Sequence, residues 1–163
     1  QSWFREPFVL AGHSLGSLAA VMYTQAHPEQ VKALAPLSTV VSGKLVVESP
    51  SYKAIMPECE RTGWRTVESV SKPGTMKRLK YAFVEDIAKY DVLPEVGKLT
   101  MPVLLIVGEH DESTPVETQK ILLEALPGPK ELHVIAGAQH TFRTPAELQE
   151  LSSVLRGWVL TVQ

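Results

Sequence analysis

The sequence has almost no cysteine, and this scarcity excludes a disulfide-based fold. Cys59 is the only cysteine among 163 residues, so no intramolecular disulfide can form. It lies between Glu58 and Glu60, whose negative charges disfavour a thiolate, and we expect it to be non-catalytic. The sequence also lacks the H-E-x-x-H pattern of zinc hydrolases and any glycine-rich phosphate loop. It therefore predicts no metal and no cofactor.

Long apolar runs and an excess of one charge are lacking as well. No run approaches the roughly 18 apolar residues of a membrane helix, which predicts no membrane span. Residues 1–6 contain no signal-peptide core, so we expect a cytoplasmic location. Lysine and arginine number 16 against 18 aspartate and glutamate, a net charge of −2. This balance argues against a nucleic-acid partner or a polybasic membrane binder.

Four short apolar segments predict a parallel sheet. The segments are mostly apolar rather than alternating, which is typical of strands covered on both faces. The four segments are 8–12, 31–37, 102–108 and 131–136. They predict an α/β fold with a mostly parallel sheet flanked by helices.

Three helices are predicted between and after these strands. The first covers 15–26, and its expected apolar face consists of Leu15, Leu18, Ala19 and Met22. The other two begin at capping boxes, in which Thr114 or Thr144 is followed three residues later by a glutamate. The last helix has an apolar stripe at 3.6-residue spacing, formed by Leu148, Leu151, Leu155, Trp158 and Val162.

The stretch 42–91 interrupts this alternation of strands and helices. It is richer in lysine, glutamate, proline and serine, and no strong strand is predicted in it. Its best element is a helix with one face formed by Met76, Leu79, Phe83, Ile87 and Tyr90. We expect 42–91 to be a helical insertion into a core built from 1–41 and 92–163.

The motif with chemical meaning is Gly12-His13-Ser14-Leu15-Gly16, which matches G-x-S-x-G. A serine held in a very sharp strand-to-helix turn needs neighbours without side chains two residues before and two residues after it. The strained turn projects the hydroxyl beyond the sheet edge, and the following helix N-terminus points its amides towards developing negative charge. The predicted strand before Gly12 and helix after Ser14 supply this context.

A serine nucleophile needs a base and an orienting carboxylate. Among the five histidines, His140 is the best base because it follows the fourth strand at the edge where parallel sheets build their sites. The others have plainer interpretations: His13 as structural, His27 as a surface residue, His133 as a buried neutral residue and His110 as a neighbour of the site. Asp111, just beyond the third strand, is the favoured carboxylate, with Glu109 and Glu112 as alternatives.

The ordered motifs 12–16, 102–108 with Asp111 and Pro115, and 137–142 resemble the α/β-hydrolase fold superfamily, specifically its serine hydrolases. The resemblance implies that Ser14 is the nucleophile, His140 the general base and Asp111 its orienting acid. It implies that the backbone N–H of Leu15 is one oxyanion-hole donor and that 42–91 is a cap or lid. The implied substrate is a small-molecule carboxylic ester, with an amide or peptide as the alternative.

The chain departs from the family in its length. Family members have several strands before the nucleophile strand, whereas here that strand begins at about residue 8. We therefore expect the C-terminal half to two-thirds of a hydrolase, with a missing N-terminal segment or another chain completing the sheet and the oxyanion hole. The alternative hypothesis is a non-catalytic fragment that acts as an interaction module through its exposed sheet edge.

Overall fold

The computed structural model describes residues 7–69 and 72–162. Its helices and strands follow in the order β1 (Phe8–His13), α1 (Leu15–Ala26), β2 (Val31–Leu37), α2 (Gly43–Val47), α3 (Pro50–Thr62), β3 (Trp64–Glu68), β4 (Met76–Lys80), α4 (Tyr81–Ile87), β5 (Val103–Gly108), α5 (Val116–Ala125), β6 (Lys130–Ile135) and α6 (Pro145–Thr161). The chain divides into two compact units, one built from residues up to Val41 and from Val92 onward, the other from Ser42–Asp91.

The first unit contains a four-stranded parallel sheet in the order β1-β2-β5-β6. The four strands are the four apolar segments of the sequence, so that prediction is confirmed. Every residue of β5 is buried, and all but Lys32 of β2 are buried, as continuous apolar runs predict for central strands. Strands β1 and β6 end the sheet within the described residues and are less buried. All four carboxyl ends lie at one edge of the sheet, because the strands are parallel.

Helix α6 covers part of the core. A cluster of buried side chains from β2, β5 and the 135–142 segment surrounds Trp158, which is 6 % exposed. Leu151, Leu155 and Val162 pack against this cluster as expected, whereas Leu148 is 49 % exposed. The capping box at Thr144 is present, since its hydroxyl accepts from the Glu147 N–H and the Glu147 carboxylate accepts from the Thr144 N–H. No helix in the described ranges is long and apolar enough to cross a membrane.

The predicted apolar face of α1 is confirmed at Leu18 and wrong at Leu15, Ala19 and Met22. Leu15 and Met22 are 44 % and 38 % exposed, and the buried face carries Leu18 and Val21 together with polar residues. The polar residues are buried because each finds a hydrogen-bond partner: Ser17 at the Thr39 hydroxyl, Thr24 at the Ala20 carbonyl and Gln25 at the Val92 carbonyl. The spacing of apolar side chains alone therefore predicts the wrong buried face for this helix.

The second unit, Ser42–Asp91, contains helices α2, α3 and α4 and an antiparallel hairpin of β3 and β4. The expectation of no strand here is wrong, and so is the helix that was to begin at Met76, because Met76 and Leu79 belong to β4. Every residue of β4 is exposed, and β3 is half-buried only at Trp64 and Arg65. A hairpin without a buried face has no alternating apolar pattern, so periodicity could not reveal it.

Candidate active site

Ser14 lies at the junction between β1 and α1, at the carboxyl edge of the sheet. Its backbone has φ 57° and ψ −122°, a conformation that L-residues other than glycine rarely adopt. Such a conformation costs on the order of 1–3 kcal/mol and persists where the surrounding structure enforces it. The Ser14 N–H donates to the Leu37 carbonyl at the end of β2 at 2.9 Å, which ties the strained turn to the neighbouring strand.

The two glycines of the motif are not equivalent in this chain. A Cβ at Gly12 would lie 2.4 Å from the Gly16 carbonyl oxygen and 2.8 Å from the Ser17 nitrogen, so only glycine fits there. A Cβ at Gly16 would meet nothing within 4 Å. The expectation that both positions exclude a side chain therefore holds for Gly12 and is wrong for Gly16.

The structure brings Ser14, His140 and Asp111 together in one hydrogen-bonded row. Ser14 Oγ lies 2.9 Å from His140 Nε2, and His140 Nδ1 lies 2.9 and 3.0 Å from the two carboxylate oxygens of Asp111. The carboxylate only accepts hydrogen bonds, so Nδ1 carries the proton and Nε2 is the acceptor for the Ser14 hydroxyl. These are the contacts that a serine nucleophile, its base and an orienting acid require.

Asp111 is held as a buried carboxylate. Its side chain is fully buried, whereas that of His140 is 27 % exposed. Burial raises the pKa of Asp111, but the hydrogen bonds from His140 and Thr114 outweigh it, and the pKa lies below its ordinary value. The backbone N–H groups of Ser113 and Thr114 both donate to Oδ1, at 2.9 and 2.8 Å. Asp111 is therefore ionised at neutral pH and fixed in direction.

The loop that carries His140 is fastened to the end of β5. A Cβ at Gly108 would lie 2.4 Å from the Ala138 carbonyl oxygen, so the loop passes over this glycine at a distance that no other residue allows. The His110 N–H donates to the Ala138 carbonyl at 2.8 Å, and the Gly137 N–H donates to the Glu109 carboxylate at 2.8 Å. Glu109 thus holds the loop and does not contact His140 in place of Asp111. Glu112, the other alternative acid, is exposed.

Two residues with other expected roles, Thr114 and His13, contact this site. The expectation that the Thr114 hydroxyl caps α5 is wrong: no side chain caps that helix, and the hydroxyl donates to Asp111 Oδ2 at 2.8 Å. His13, expected to be structural, donates from Nε2 to the His140 carbonyl at 2.8 Å, and their rings lie 5.1 Å apart. The adjacency of Thr114 to Asp111 in sequence was the available signal, because a threonine three residues after an aspartate can cap its carboxylate as well as a helix.

The remaining histidines lie away from this row of contacts. The expectation that His133 is buried is wrong, since its side chain is 35 % exposed, and its Nε2 lies 2.7 Å from the Glu150 carboxylate. His27 is exposed and lies against the ring of Tyr23. His110 is exposed beside Glu109. Residues 7–69 and 72–162 contain no group of three or more His, Cys, Asp or Glu that could hold a metal ion.

The second unit contains a cavity of about 410 Å³ between α3 and the hairpin. Trp64, Ile55 and the buried Cys59 contribute to its lining, together with Arg65 and Arg78. The guanidinium of Arg65 stacks on the ring of Tyr52 and donates to its hydroxyl, and that of Arg78 stacks on Trp64. These contacts make both arginines part of the packing of this unit, although Arg65 Nε is buried without a hydrogen-bond partner among the described residues.

Comparisons with known proteins show the fold. No known family profile matches the chain. The curated mouse (Mus musculus) protein "Palmitoyl-protein thioesterase ABHD10, mitochondrial" is 29 % identical over 110 residues, which are 67 % of this chain and 37 % of the mouse protein. The solved structure of "Alpha/beta hydrolase domain-containing protein 10 from mouse" matches with a TM-score of 0.76 at 22 % identity, covering 98 % of this chain and 64 % of that one.

Two microbial structures match in the same way. A monoacylglycerol lipase from Paleococcus ferrophilus has a TM-score of 0.71 at 23 % identity, covering 97 % of this chain and 70 % of that one. Est1E from Butyrivibrio proteoclasticus has a TM-score of 0.65 at 23 % identity, with coverages of 94 % and 60 %. The chain therefore has an α/β-hydrolase fold, which confirms the fold that the resemblance implies. It spans under two-thirds of the mouse structure.

Proposed function

We propose that this chain, with its α/β-hydrolase fold, carries the catalytic residues of a serine hydrolase that cleaves a carboxylic ester through an acyl-enzyme. The observation that carries the proposal is the hydrogen-bonded row from Ser14 Oγ through His140 to Asp111. It is assembled at the carboxyl ends of parallel strands, where α/β folds build their sites. The nucleophile, base and acid also follow one another in the order that hydrolases of this fold use.

The first chemical step follows from the tautomer of His140. Ser14 Oγ attacks the ester carbonyl carbon as its proton moves to His140 Nε2, and a C–O bond to the serine forms. The imidazolium that results is stabilised by the ionised Asp111, which lies against Nδ1. The same Nε2–H then protonates the leaving alkoxide, so the alcohol departs and the acyl group stays on Ser14.

The second step reverses these roles with water. His140 removes a proton from a water molecule that attacks the acyl-serine, and it returns that proton to Ser14 Oγ as the carboxylic acid leaves. The negative charge on the carbonyl oxygen develops next to the N-terminus of α1. Leu15 is the first residue of that helix, so its backbone N–H has no acceptor within the helix, and we assign it as one oxyanion donor.

The activities of the similar proteins support an ester over an amide. The curated mouse relative is a thioesterase, and the structural neighbours include a lipase and Est1E, which has been solved with ferulic acid bound. Oxygen and sulfur esters have better leaving groups than amides, and the Ser14–His140–Asp111 row would serve all three. We therefore place carboxylic esters first and thioesters second among the substrates to be tested. An amide or peptide bond is the alternative for the same residues.

We also propose that the second unit, Ser42–Asp91, is the cap that selects the acyl group. Its division from the sheet-bearing unit supports this proposal, as does its insertion between β2 and β5. Replacing Trp64 by alanine enlarges the cavity within this unit. The expected result is a changed order of preference among p-nitrophenyl esters of increasing chain length. An unchanged order would count against a cap role for Trp64.

The proposed activity is tested by hydrolysis of short p-nitrophenyl esters with purified protein and with three variants. Ser14→Ala and His140→Ala are expected to lose turnover, and Ser152→Ala, which changes an exposed serine on α6, is the matched control. Folding of each variant is checked by circular dichroism. Folded full-length protein without turnover of either an ester or a thioester would refute the proposal. It would instead favour an interaction module, which is the alternative raised by the sequence.

A further inference from the structure

Thr114 has three contacts around the carboxylate of Asp111. Its backbone N–H donates to Oδ1 at 2.8 Å, and its hydroxyl donates to Oδ2 at 2.8 Å. The same hydroxyl oxygen lies 3.4 Å from His140 Nδ1. Thr114 is 2 % exposed, so no solvent molecule replaces these contacts easily. The Thr114 side chain therefore contacts both Asp111 and His140.

The direction of the Thr114 hydroxyl proton has a consequence for His140. A hydroxyl has one proton and two lone pairs, and here the proton points at an ionised carboxylate. The lone pairs of the hydroxyl oxygen are then free to face His140 Nδ1. Every group near Nδ1 is therefore an acceptor, which favours the tautomer with the proton on Nδ1. Only that tautomer leaves Nε2 free to accept the Ser14 proton.

Thr114 is itself held by a buried glutamine. Gln119, which is fully buried, donates from Nε2 to the Thr39 carbonyl at 2.9 Å and towards the Thr114 carbonyl at 3.4 Å. Its Oε1 accepts from the Thr39 N–H at 3.3 Å, and the Thr39 hydroxyl is hydrogen-bonded to that of Ser17 on α1. Buried hydrogen bonds thus connect Ser17 on α1, through Thr39 and Gln119, to Thr114, which donates to Asp111.

We propose that Thr114 is a positioning residue that aligns the Asp111 carboxylate on Nδ1 of His140, and that Gln119 holds Thr114 in place. This inference rests on the proposed function. It assigns to Thr114 a role in the reaction rather than in helix capping, because the structure leaves its hydroxyl no part in the start of α5.

The test compares Thr114→Val, which removes the hydroxyl at nearly constant volume, with Thr114→Ser, which keeps it. A hydrogen bond to a charged group contributes about 1.5–3 kcal/mol, so kcat is expected to fall about ten- to a hundredfold in Thr114→Val. KM is expected to change little, and Thr114→Ser is expected to restore most of kcat. Such a split between kcat and KM marks an effect on the chemical step.

Thr24→Val is the matched control. Thr24 is also fully buried in the same unit, and its hydroxyl donates to a backbone carbonyl of α1, not to the Ser14–His140–Asp111 row. It is expected to lose stability with kcat unchanged. Equal losses of kcat in Thr24→Val and Thr114→Val would overturn the proposal, and so would a Thr114→Val kcat within about threefold of wild type. If Thr114→Val does not fold, Thr114→Ala provides the same contrast with Thr114→Ser.

A second readout separates this inference from the proposed function. The ¹H resonance of the His140 Nδ1–H reports its hydrogen bond to Asp111 without any substrate. Wild-type protein is expected to show one sharp downfield signal, and Thr114→Val a signal that moves upfield and exchanges faster with water, because the carboxylate is less well aligned. If wild-type protein turns over neither an ester nor a thioester, the proposed function fails, and the Nδ1–H resonance alone decides the role of Thr114. An unchanged Nδ1–H resonance in Thr114→Val would then overturn it.

Discussion

Replacing Asp111 by asparagine is the perturbation whose effect the structure specifies most closely. In the wild-type protein, Oδ1 accepts from the backbone N–H groups of Ser113 and Thr114, and Oδ2 accepts from the Thr114 hydroxyl. An asparagine has only one acceptor oxygen. That oxygen is expected to take the Oδ1 position, because two backbone donors there would otherwise face an NH₂ group. The NH₂ group is then placed at the Oδ2 position, 2.9 Å from His140 Nδ1.

An NH₂ group at this position donates to Nδ1 and therefore moves the imidazole proton to Nε2. His140 can then no longer accept the proton of Ser14, although the positions of all three side chains are preserved. The same exchange in Ser-His-Asp enzymes lowers kcat by about 10⁴-fold. This corresponds to about 5.4 kcal/mol of transition-state stabilisation. We expect a loss of that order in Asp111→Asn.

The assay is p-nitrophenyl ester hydrolysis at pH 7–8, with burst titration to count active sites and urea unfolding to confirm the native fold. The tautomer argument also predicts that activity recovers in part at high pH, where Nε2–H is more readily lost. A folded Asp111→Asn protein that keeps more than about a tenth of the wild-type kcat would refute the reasoning. Asp91→Asn serves as the control for loss of a single aspartate charge in the other unit.

Three further predictions follow from the same contacts. Gly12→Ala is expected to prevent or severely weaken folding, because its Cβ would lie 2.4 Å from the Gly16 carbonyl oxygen. Gly16→Ala is expected to leave the free energy of unfolding in urea unchanged or to raise it by up to about 1 kcal/mol. Equal losses of stability in the two variants would contradict this. His13→Phe keeps a ring beside His140 but removes the donor to its carbonyl, and kcat is expected to fall by no more than about tenfold; a loss as large as that of Asp111→Asn would contradict it. Because the pKa of Asp111 is depressed in the folded state, its contribution to stability is present above the ordinary aspartate pKa of about 3.9 and is lost as the pH falls through the folded pKa. The difference in unfolding free energy between wild type and Asp111→Asn should therefore shrink in acid, and a difference that grows as the pH falls would contradict the assignment.

The strands and the candidate site could be predicted because each depends on local sequence. Apolar segments predicted the four strands of the parallel sheet, and the reason is clearest for the central strands β2 and β5, which are buried on both faces. Residues that follow such strands meet at one edge, so Ser14, Asp111 and His140 were expected to lie close together before any distance was measured. The steric demand at Gly12 could also be predicted, because the turn and its motif lie within five residues.

What could not be predicted depends on partners that are distant in sequence. Ser17 and Gln25 are buried on α1 because Thr39 and the Val92 carbonyl satisfy their polar groups. No property of 15–26 alone reveals these partners. Thr114 forms part of a capping-box pattern, but the nearby Asp111 carboxylate offers its hydroxyl a stronger acceptor than a helix terminus does. The exposed hairpin has no buried face to leave a pattern in the sequence.

Ser14 is the nucleophile in the proposed reaction, and the mass of the acylated peptide tests this assignment directly. Wild-type protein mixed with p-nitrophenyl acetate, quenched within the burst and digested, is expected to carry one acetyl group on the peptide that contains Ser14. Ser14→Ala should carry none, and Ser152→Ala should be labelled like wild type. An acetyl group on a different residue, or undiminished labelling and turnover in Ser14→Ala, would contradict the assignment of Ser14 as the nucleophile.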